Sequence, residues 1–352
     1  MIRQRRDGTK KKLSAQVREH ANGKVEKEQE QGGNFSKIIS TGSTLLDLAI
    51  SGGRVHGGGL PGGIFVEIYG PESTGKTALI CEISGDIQRK GGEVQFHDPE
   101  GRIDNQFAQM FGAKIDEKNY HQPDKVPEVF TPIRSWKPEG NAIHGIMVDS
   151  LAALSTDMEM DSEEGDKYGG RRAKEFSQEL RKTCRIIKQQ NYLLVCSNQI
   201  RDNFALLGPR HESPGGQAIR FYSSLRLETS FPPKESKIVR KKTIHDKEVS
   251  RVVGVNIEVK VVKSSIWSPL HTTPVTILFN YGIDDVKQNL QFLKDYTKST
   301  TYVLNGEKVA VSMDDAIRII EKDNAEHQLR EEVITLWEEI ESKFESERKA
   351  KR

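Results

Sequence analysis

Residues 64–77 read IFVEIYGPESTGKT, an apolar, β-branched run that ends in a glycine and is followed by a second glycine, a lysine and a threonine. Gly70 and Gly75 bracket four residues, and Lys76 and Thr77 follow directly, which satisfies G-x-x-x-x-G-K-[ST]. Each part has a physical reason. The glycines let consecutive backbone N–H groups curl inward around an anion. The helix expected to open at Lys76 adds the positive end of its dipole. Lys76 reaches toward the outermost phosphates, and the Thr77 hydroxyl suits Mg²⁺. A chance Gly-rich turn is the rival account. The strand before and the helix-forming stretch Thr77–Ile87 after it supply the context that a phosphate-binding loop requires, so the sequence predicts a nucleoside-triphosphate site.

Working outward, the chain alternates strand and helix. A Gly-rich loop, Gly52–Gly63, leads into the first strand, and Thr41-Gly42-Ser43 caps an amphipathic stretch Thr44–Ile50. Strands are expected at Glu93–His97, Gly145–Val148 and Tyr192–Ser197, with helices around Gln106–Phe111 and Arg171–Gln190 and an irregular, proline-dotted region at Gln122–Pro138. This order predicts an α/β fold with a mostly parallel twisted sheet flanked by helices. Strands near Arg226, Val252–Val262 and Thr276–Phe279 are expected to extend it antiparallel. Past Gly282 come a helix Val286–Tyr296, a hairpin turning at Asn305-Gly306, a helix capped by Ser312 and Asp315, and a charged helix Glu331–Glu345. The expected division is a basic polar N-terminal segment (1–36), a nucleotide-binding core (37–281), a small α+β C-terminal domain (282–345) and a basic tail (346–352).

Bulk composition limits the function classes less than its distribution does. The 352 residues are 35% hydrophobic and 30% charged with a net charge of +2, which demands no polyanionic partner. Yet residues 3–12 carry six basic side chains against one Asp, and residues 234–247 (KESKIVRKKTIHDK) form a second basic cluster. Each is equally well a nucleic-acid footprint or a solvated tail and hairpin. Cys81, Cys184 and Cys196 lie in apolar surroundings without C-x-x-C spacing, which fits buried reduced thiols. No apolar run approaches a membrane span, and residues 1–33, polar enough for a mobile tail or solvated helix, lack the apolar centre of a signal peptide. A cytoplasmic protein without a membrane partner is expected.

Three further candidates fall at strand ends, where open parallel sheets place their ligands. Asp149 ends an apolar strand and suits a Mg²⁺ carboxylate. Glu100 lies just beyond the strand ending at His97 and is placed to orient or deprotonate an attacking water. Gln199 ends the strand carrying Cys196, where an amide reports the γ-phosphate. Singly, a helix cap, a surface acid and a loop amide explain them. Together, on successive strands after a valid phosphate loop, they make a catalytic constellation of Lys76, Glu100 and Gln199 with Thr77 and Asp149 at the metal.

The runs STGSTLLDLAI, FVEIYGPESTGKT, VDSLAAL, SNQIRDN and GGQAIRFYSSLRL resemble, in order and spacing, the bacterial RecA recombinase family. The resemblance covers roughly residues 36–340. It implies an ATP- and DNA-dependent recombinase that polymerises as a helical filament on single-stranded DNA, pairs it with double-stranded DNA and exchanges strands. A RecA-fold ATP-binding regulatory or scaffold protein, or a hexameric helicase, is the alternative. By the resemblance, Gly70, Pro71, Glu72, Ser73, Thr74, Gly75, Lys76, Thr77 and the adjoining Ala78 cradle ATP. Ser150 supports Asp149, Asp104 and Phe107 meet the adenine, and Phe279 covers it.

The resemblance also implies two DNA-binding loops. The first, Asp157–Arg172, offers Lys167, Tyr168, Gly169, Gly170, Arg171 and Arg172, with Lys174 beside it. The second, Arg201–Gly216, offers Arg201, Phe204, Arg210, Gly215 and Gly216, with Leu206 and Leu207 as further wedges between bases. Arg181, Arg220 and Arg226 match positions near DNA or a subunit interface, and Phe221 an aromatic between subunits. Lys263 matches a lysine that reaches a neighbour's γ-phosphate, whereas Ser265 stands where the family has a second lysine. The second loop is one residue shorter than the common form, and the acidic C-terminal tail is replaced by a mixed, finally basic one.

Overall fold

The structure is a computed structural model that describes residues 33–156, 169–202, 211–212, 216–344 and 348. The strand Asn34–Ile39 (β1) pairs antiparallel with Leu60–Gly62 (β2) around the helix Thr44–Ser51 (α1), whose N-cap Ser43 accepts the Leu46 N–H. The phosphate-loop strand Ile64–Gly70 (β3) feeds Lys76–Arg89 (α2). Then follow Val94–His97 (β4), Asn105–Met110 (α3), Tyr120–His121 (β5), Val126–Ser135 (α4) and Gly145–Val148 (β6). Gly169–Gln190 (α5) leads to Leu193–Gln199 (β7), the short ribbon Arg201–Asp202 (β8) with His211–Glu212 (β9), and Gly216–Tyr222 (α6). Leu225–Ser230 (β10), Lys237–Ile244 (β11), Lys247–Ser264 (β12), Thr272–Leu278 (β13) and Gly282–Ile283 (β14) complete the main sheet. The C-terminal elements are Asp285–Thr297 (α7), Tyr302–Leu304 (β15), Glu307–Ala310 (β16), Met313–Lys322 (α8) and Glu326–Phe344 (α9).

Among the described residues, ten strands form one sheet in the order β14-β13-β12-β10-β3-β7-β6-β4-β5, with β11 on β12. From β10 to β5 every pairing is parallel. This corrects the expectation for the strand at Arg226: β10 runs parallel to β3, and the antiparallel half starts with β12. Composition marks a strand but not its direction.

All seven residues of β3 are buried, and their side chains alternate between two cores. Ile64, Val66 and Ile68 pack with Leu79, Ile80 and Ile83 of α2. Phe65 packs on the other face with Phe176, Leu180 and Ile187 of α5 and with the α4 residues Val129 and Phe130. Helix α4 lies inside the stretch expected to be irregular. Pro127 sits in its first turn, where a missing N–H costs no bond, and the Glu128 carboxylate accepts the Asp124 N–H at 2.8 Å. A third core joins Leu290, Ile320, Val333 and Trp337 of the C-terminal elements to Leu45 and Leu48 of α1. The hairpin expected at Asn305-Gly306 is present as β15–β16. Helix α9 begins at Glu326, five residues before its expected start. Burial pushes the thiols of Cys81 and Cys184 up to about 12 and raises that of Cys196 well above its ordinary value, so all three are inert at neutral pH. Among the described residues no helix is long and apolar enough to cross a membrane.

Candidate nucleotide site and the family of the chain

Four neighbouring parallel strands deliver the candidate site from their carboxyl ends. Gly70 closes β3, and Gln199 lies beside it as the last residue of β7. Asp149 follows β6, and Glu100 lies three residues past β4. Parallel register brings together residues that are far apart in sequence.

The phosphate loop is shaped by two glycines that tolerate no side chain. A Cβ at Gly70 would lie 2.2 Å from the Thr229 carbonyl oxygen, and one at Gly75 would lie 2.4 Å from Ile277. Gly75 also takes φ +76° at the N-cap of α2, and no side chain caps that terminus, which suits an incoming anion. The Thr74 hydroxyl fastens the loop to the Pro71 carbonyl and to Thr229, both at 2.7 Å. Lys76 Nζ donates to the carbonyls of Gly70 (3.1 Å) and Pro71 (2.6 Å). Burial lowers its pKa, opposed by the charges of Asp149, Glu72 and Glu100.

Thr77 Oγ1 donates to Asp149 Oδ2 at 2.5 Å, and Ser197 donates to the other carboxylate oxygen. Burial raises the Asp149 pKa, and these two hydroxyls pull it back. A hydroxyl and a carboxylate in contact next to the phosphate loop are the hard oxygen donors that Mg²⁺ takes together with phosphate and water. The residues therefore fit the metal. Among the described residues no three His, Cys, Asp or Glu side chains gather into a protein-only metal site.

Glu100 Oε1 accepts from Ser150 Oγ at 2.8 Å and lies 3.5 Å from Gln199 Nε2, while Oε2 pairs with Arg102 at 2.7 Å. The acid, the amide and the hydroxyl from three strand ends thus form one connected group. Its loop is anchored by buried Asp98, which accepts the Ile103 N–H (2.7 Å) and the Tyr120 hydroxyl (2.8 Å). Alongside lies a cavity of about 780 Å³ lined by Lys76, Thr77, Phe107, Phe111, Phe231 and Phe279. Phe107 meets Phe111 in a tilted contact with ring centroids 4.9 Å apart, and Phe279 is half exposed, which suits a planar base. Asp104 caps α3 through the Phe107 N–H at 3.2 Å.

The expected DNA-side residues divide. Lys174 and Arg181 are exposed on α5. Arg172 instead donates to the carbonyls of Leu151 (3.0 Å) and Ala152 (2.6 Å), tying α5 to the segment after Asp149. Arg226 departs furthest from a DNA-facing position: it is 8% exposed, its Nε contacts Glu67 at 2.6 Å, and it covers the Tyr69 ring. Lys263 Nζ donates to the carbonyls of Arg220, Phe221 and Ser223 at the end of α6, while Phe221 is 75% exposed. Gly169, Gly170 and Arg171 open α5, Arg201 lies in β8 and Gly216 opens α6. Lys167, Tyr168, Phe204, Leu206, Leu207, Arg210 and Gly215 lie outside the described residues.

Sequence reasoning missed the support beneath the site. Buried Glu67 in β3 meets Arg226 of β10 and the Asn198 amide of β7, at 3.0 Å for the latter. A lone acid within IFVEIYG was the available signal. Ser197, Thr229 and Arg102 were missed as well, since a hydroxyl beside a motif carries no pattern of its own.

The model of the RecA N-terminal domain matches residues 10–284. Protein RecA of Delftia acidovorans is 35% identical over 82% of this chain and 75% of its own length. Protein RecA of Thermus thermophilus is 34% identical over 81% and 80%, and that of Marinobacter nauticus 34% over 90% and 89%. A shared domain over most of the chain, and identity at this level over four-fifths or more of it, mean that this chain belongs to the RecA family.

Proposed function

We propose that this RecA-family recombinase of DNA recombination and repair works as a DNA-dependent ATPase that polymerises on single-stranded DNA and pairs it with a duplex. The observation that carries the proposal is the junction of Glu100, Ser150 and Gln199 at the carboxyl ends of neighbouring strands, beside Lys76, Thr77 and Asp149. Gly70 to Ala78 hold the triphosphate through backbone N–H groups and the Lys76 ammonium. Thr77 and Asp149 would hold Mg²⁺, which when bound neutralises charge on the phosphate oxygens. Glu100 orients and deprotonates the attacking water, while Ser150 and Gln199 fix its carboxylate. Phe107 and Phe279 sandwich the base. Gln199 lies two residues before β8, so occupation of the nucleotide site bears directly on the second loop. Lys174 and Arg181 offer exposed charge to the DNA backbone.

The test is Glu100→Gln beside Lys76→Ala, assayed for nucleotide binding, single-strand-stimulated ATP hydrolysis and strand exchange. Glu100→Gln keeps the shape and loses the base: nucleotide binds while turnover falls about a hundredfold or more. Lys76→Ala weakens nucleotide binding or turnover by removing charge from the phosphates. Unchanged turnover in Glu100→Gln removes it from the mechanism.

A further inference from the structure

The basic cluster at 234–247 folds into a two-stranded ribbon, β11 with the first half of β12, that runs past the body of the sheet. Its turn, His245-Asp246, has positive φ at both residues (47° and 58°), the geometry of the tightest hairpins. From Val239 to the turn the ribbon is about 20 Å long at ~3.3 Å per residue. Residues 240–248 and 250–252 are exposed, and Val249 is half-buried.

Register sorts its charges by face. Directly paired residues share a face, so Arg240 with Arg251, Lys242 with Val249, and Ile244 with Lys247 line one side. Val239 with Val252, Lys241 with Ser250, and Thr243 with Glu248 line the other. Glu248 is spent on that second side, pairing with Lys241 at 2.9 Å. The remaining acid, Asp246, lies in the turn. The first face therefore carries four cations and no carboxylate of the ribbon. At its base Arg240 lines a cleft with Asp284, Asp314 and Glu321, whereas Lys242, Lys247 and Arg251 are not part of that cleft. Among the described residues no carboxylate pairs with these three.

Lysines on an edge strand are an ordinary defence against edge-to-edge pairing. That defence does not require the acids to be cleared from one face. Arg240, opposite Arg251, has the carboxylates of that cleft beside it, so the charge left over is that of Lys242, Lys247 and Arg251. We propose that this face docks the phosphate backbone of duplex DNA, through Lys242, Lys247 and Arg251, with Ile244 and Val249 between them. A two-stranded ribbon fits the major groove of a duplex. Single strands are held by stacking on aromatic side chains, and none stands on this face. The proposal rests on the reading of the chain as a DNA-binding recombinase.

The test uses the full-length chain and the triple variant Lys242→Ala/Lys247→Ala/Arg251→Ala, with fluorescence anisotropy on a labelled duplex and on the single strand of equal length. Both are measured across a salt series with a non-hydrolysable ATP analogue. Loss of three phosphate contacts lowers the salt slope of duplex binding by about 2 to 3 and weakens duplex affinity about tenfold or more. Single-strand affinity and single-strand-stimulated ATP hydrolysis stay within about twofold. The variant Lys241→Ala/Glu248→Ala, altered on the opposite face, keeps parental duplex affinity and shows that the ribbon tolerates substitution. Parental duplex affinity and slope in the triple variant overturn the docking face while leaving the recombinase reading standing. Equal loss on duplex and single strand also overturns it, by making the ribbon part of one common DNA site. A parent chain that binds neither form of DNA overturns both readings.

Discussion

At the parallel end of the sheet, Glu67 and Arg226 meet with side chains 0% and 10% exposed, whereas at the antiparallel end Lys241 and Glu248 meet at 64% and 65%. The two pairs have similar lengths, 2.6 and 2.9 Å, and opposite physical meaning. In the core, each charge has lost its water and depends on its partner. On the ribbon, water serves both members, and the pair mainly decides which cations are left over. Where helices cover both faces of a sheet, charge becomes structural. Where one ribbon stands alone in solvent, charge remains available to a ligand.

The largest effect separating the two ends is expected at Arg226. Arg226→Met leaves Glu67 buried and unpaired, at a cost of about 3–5 kcal/mol in chemical denaturation. The double variant Glu67→Met/Arg226→Met regains most of it, because the uncompensated charge is gone. A single variant within about 1 kcal/mol of the parent breaks the comparison.

Glu82 lies between the extremes and sharpens the comparison through pH. It is partly buried between α2 and β14, accepting the Ile283 N–H at 3.5 Å, and burial raises its pKa from 4.5 to about 7. The folded chain therefore keeps a proton there that the unfolded chain releases near 4.5. Its stabilising contribution is complete below about pH 4.5 and is lost as pH rises through about 7. Glu82→Gln removes that loss. Thermal unfolding from pH 5 to 8.5 is expected to show the variant gaining on the parent between about pH 5 and 7 and keeping that advantage above it. Parallel curves would mean that Glu82 is ionised in the fold throughout.

The smallest effect belongs to the ribbon pair. Lys241→Ala shifts stability by no more than about 0.5 kcal/mol in the same denaturation assay. A loss above 2 kcal/mol would make the ribbon a structural element like the core.

The phosphate loop, Asp149, Glu100 and Gln199 were legible because each is a short motif at the end of an apolar strand, and parallel topology gathers strand ends. The Glu67–Arg226 contact was not, since its partners stand 159 residues apart and nothing local links them. Helix α4 was hidden by Pro127 and Pro132, which read as breakers although the first occupies a position that needs no N–H. The direction of β10 was hidden because Leu225–Ser230 has the same composition whichever way its neighbour runs. Lys263 was legible as a residue but not in its present contacts, all of which are backbone carbonyls.

Those carbonyls give Lys263 a second consequence. The ammonium closes the C-terminal end of α6, where unpaired carbonyls concentrate negative partial charge. An anion that draws Lys263 outward therefore competes with the helix end for the same cation. Burial lowers the pKa of this ammonium, and a phosphate beside it would raise it again. Helix α6 follows directly on residues 201–216, and Phe221 near its end is 75% exposed. One ammonium thus serves the end of a seven-residue helix, and an anion outside the chain would have to compete with that helix end for it.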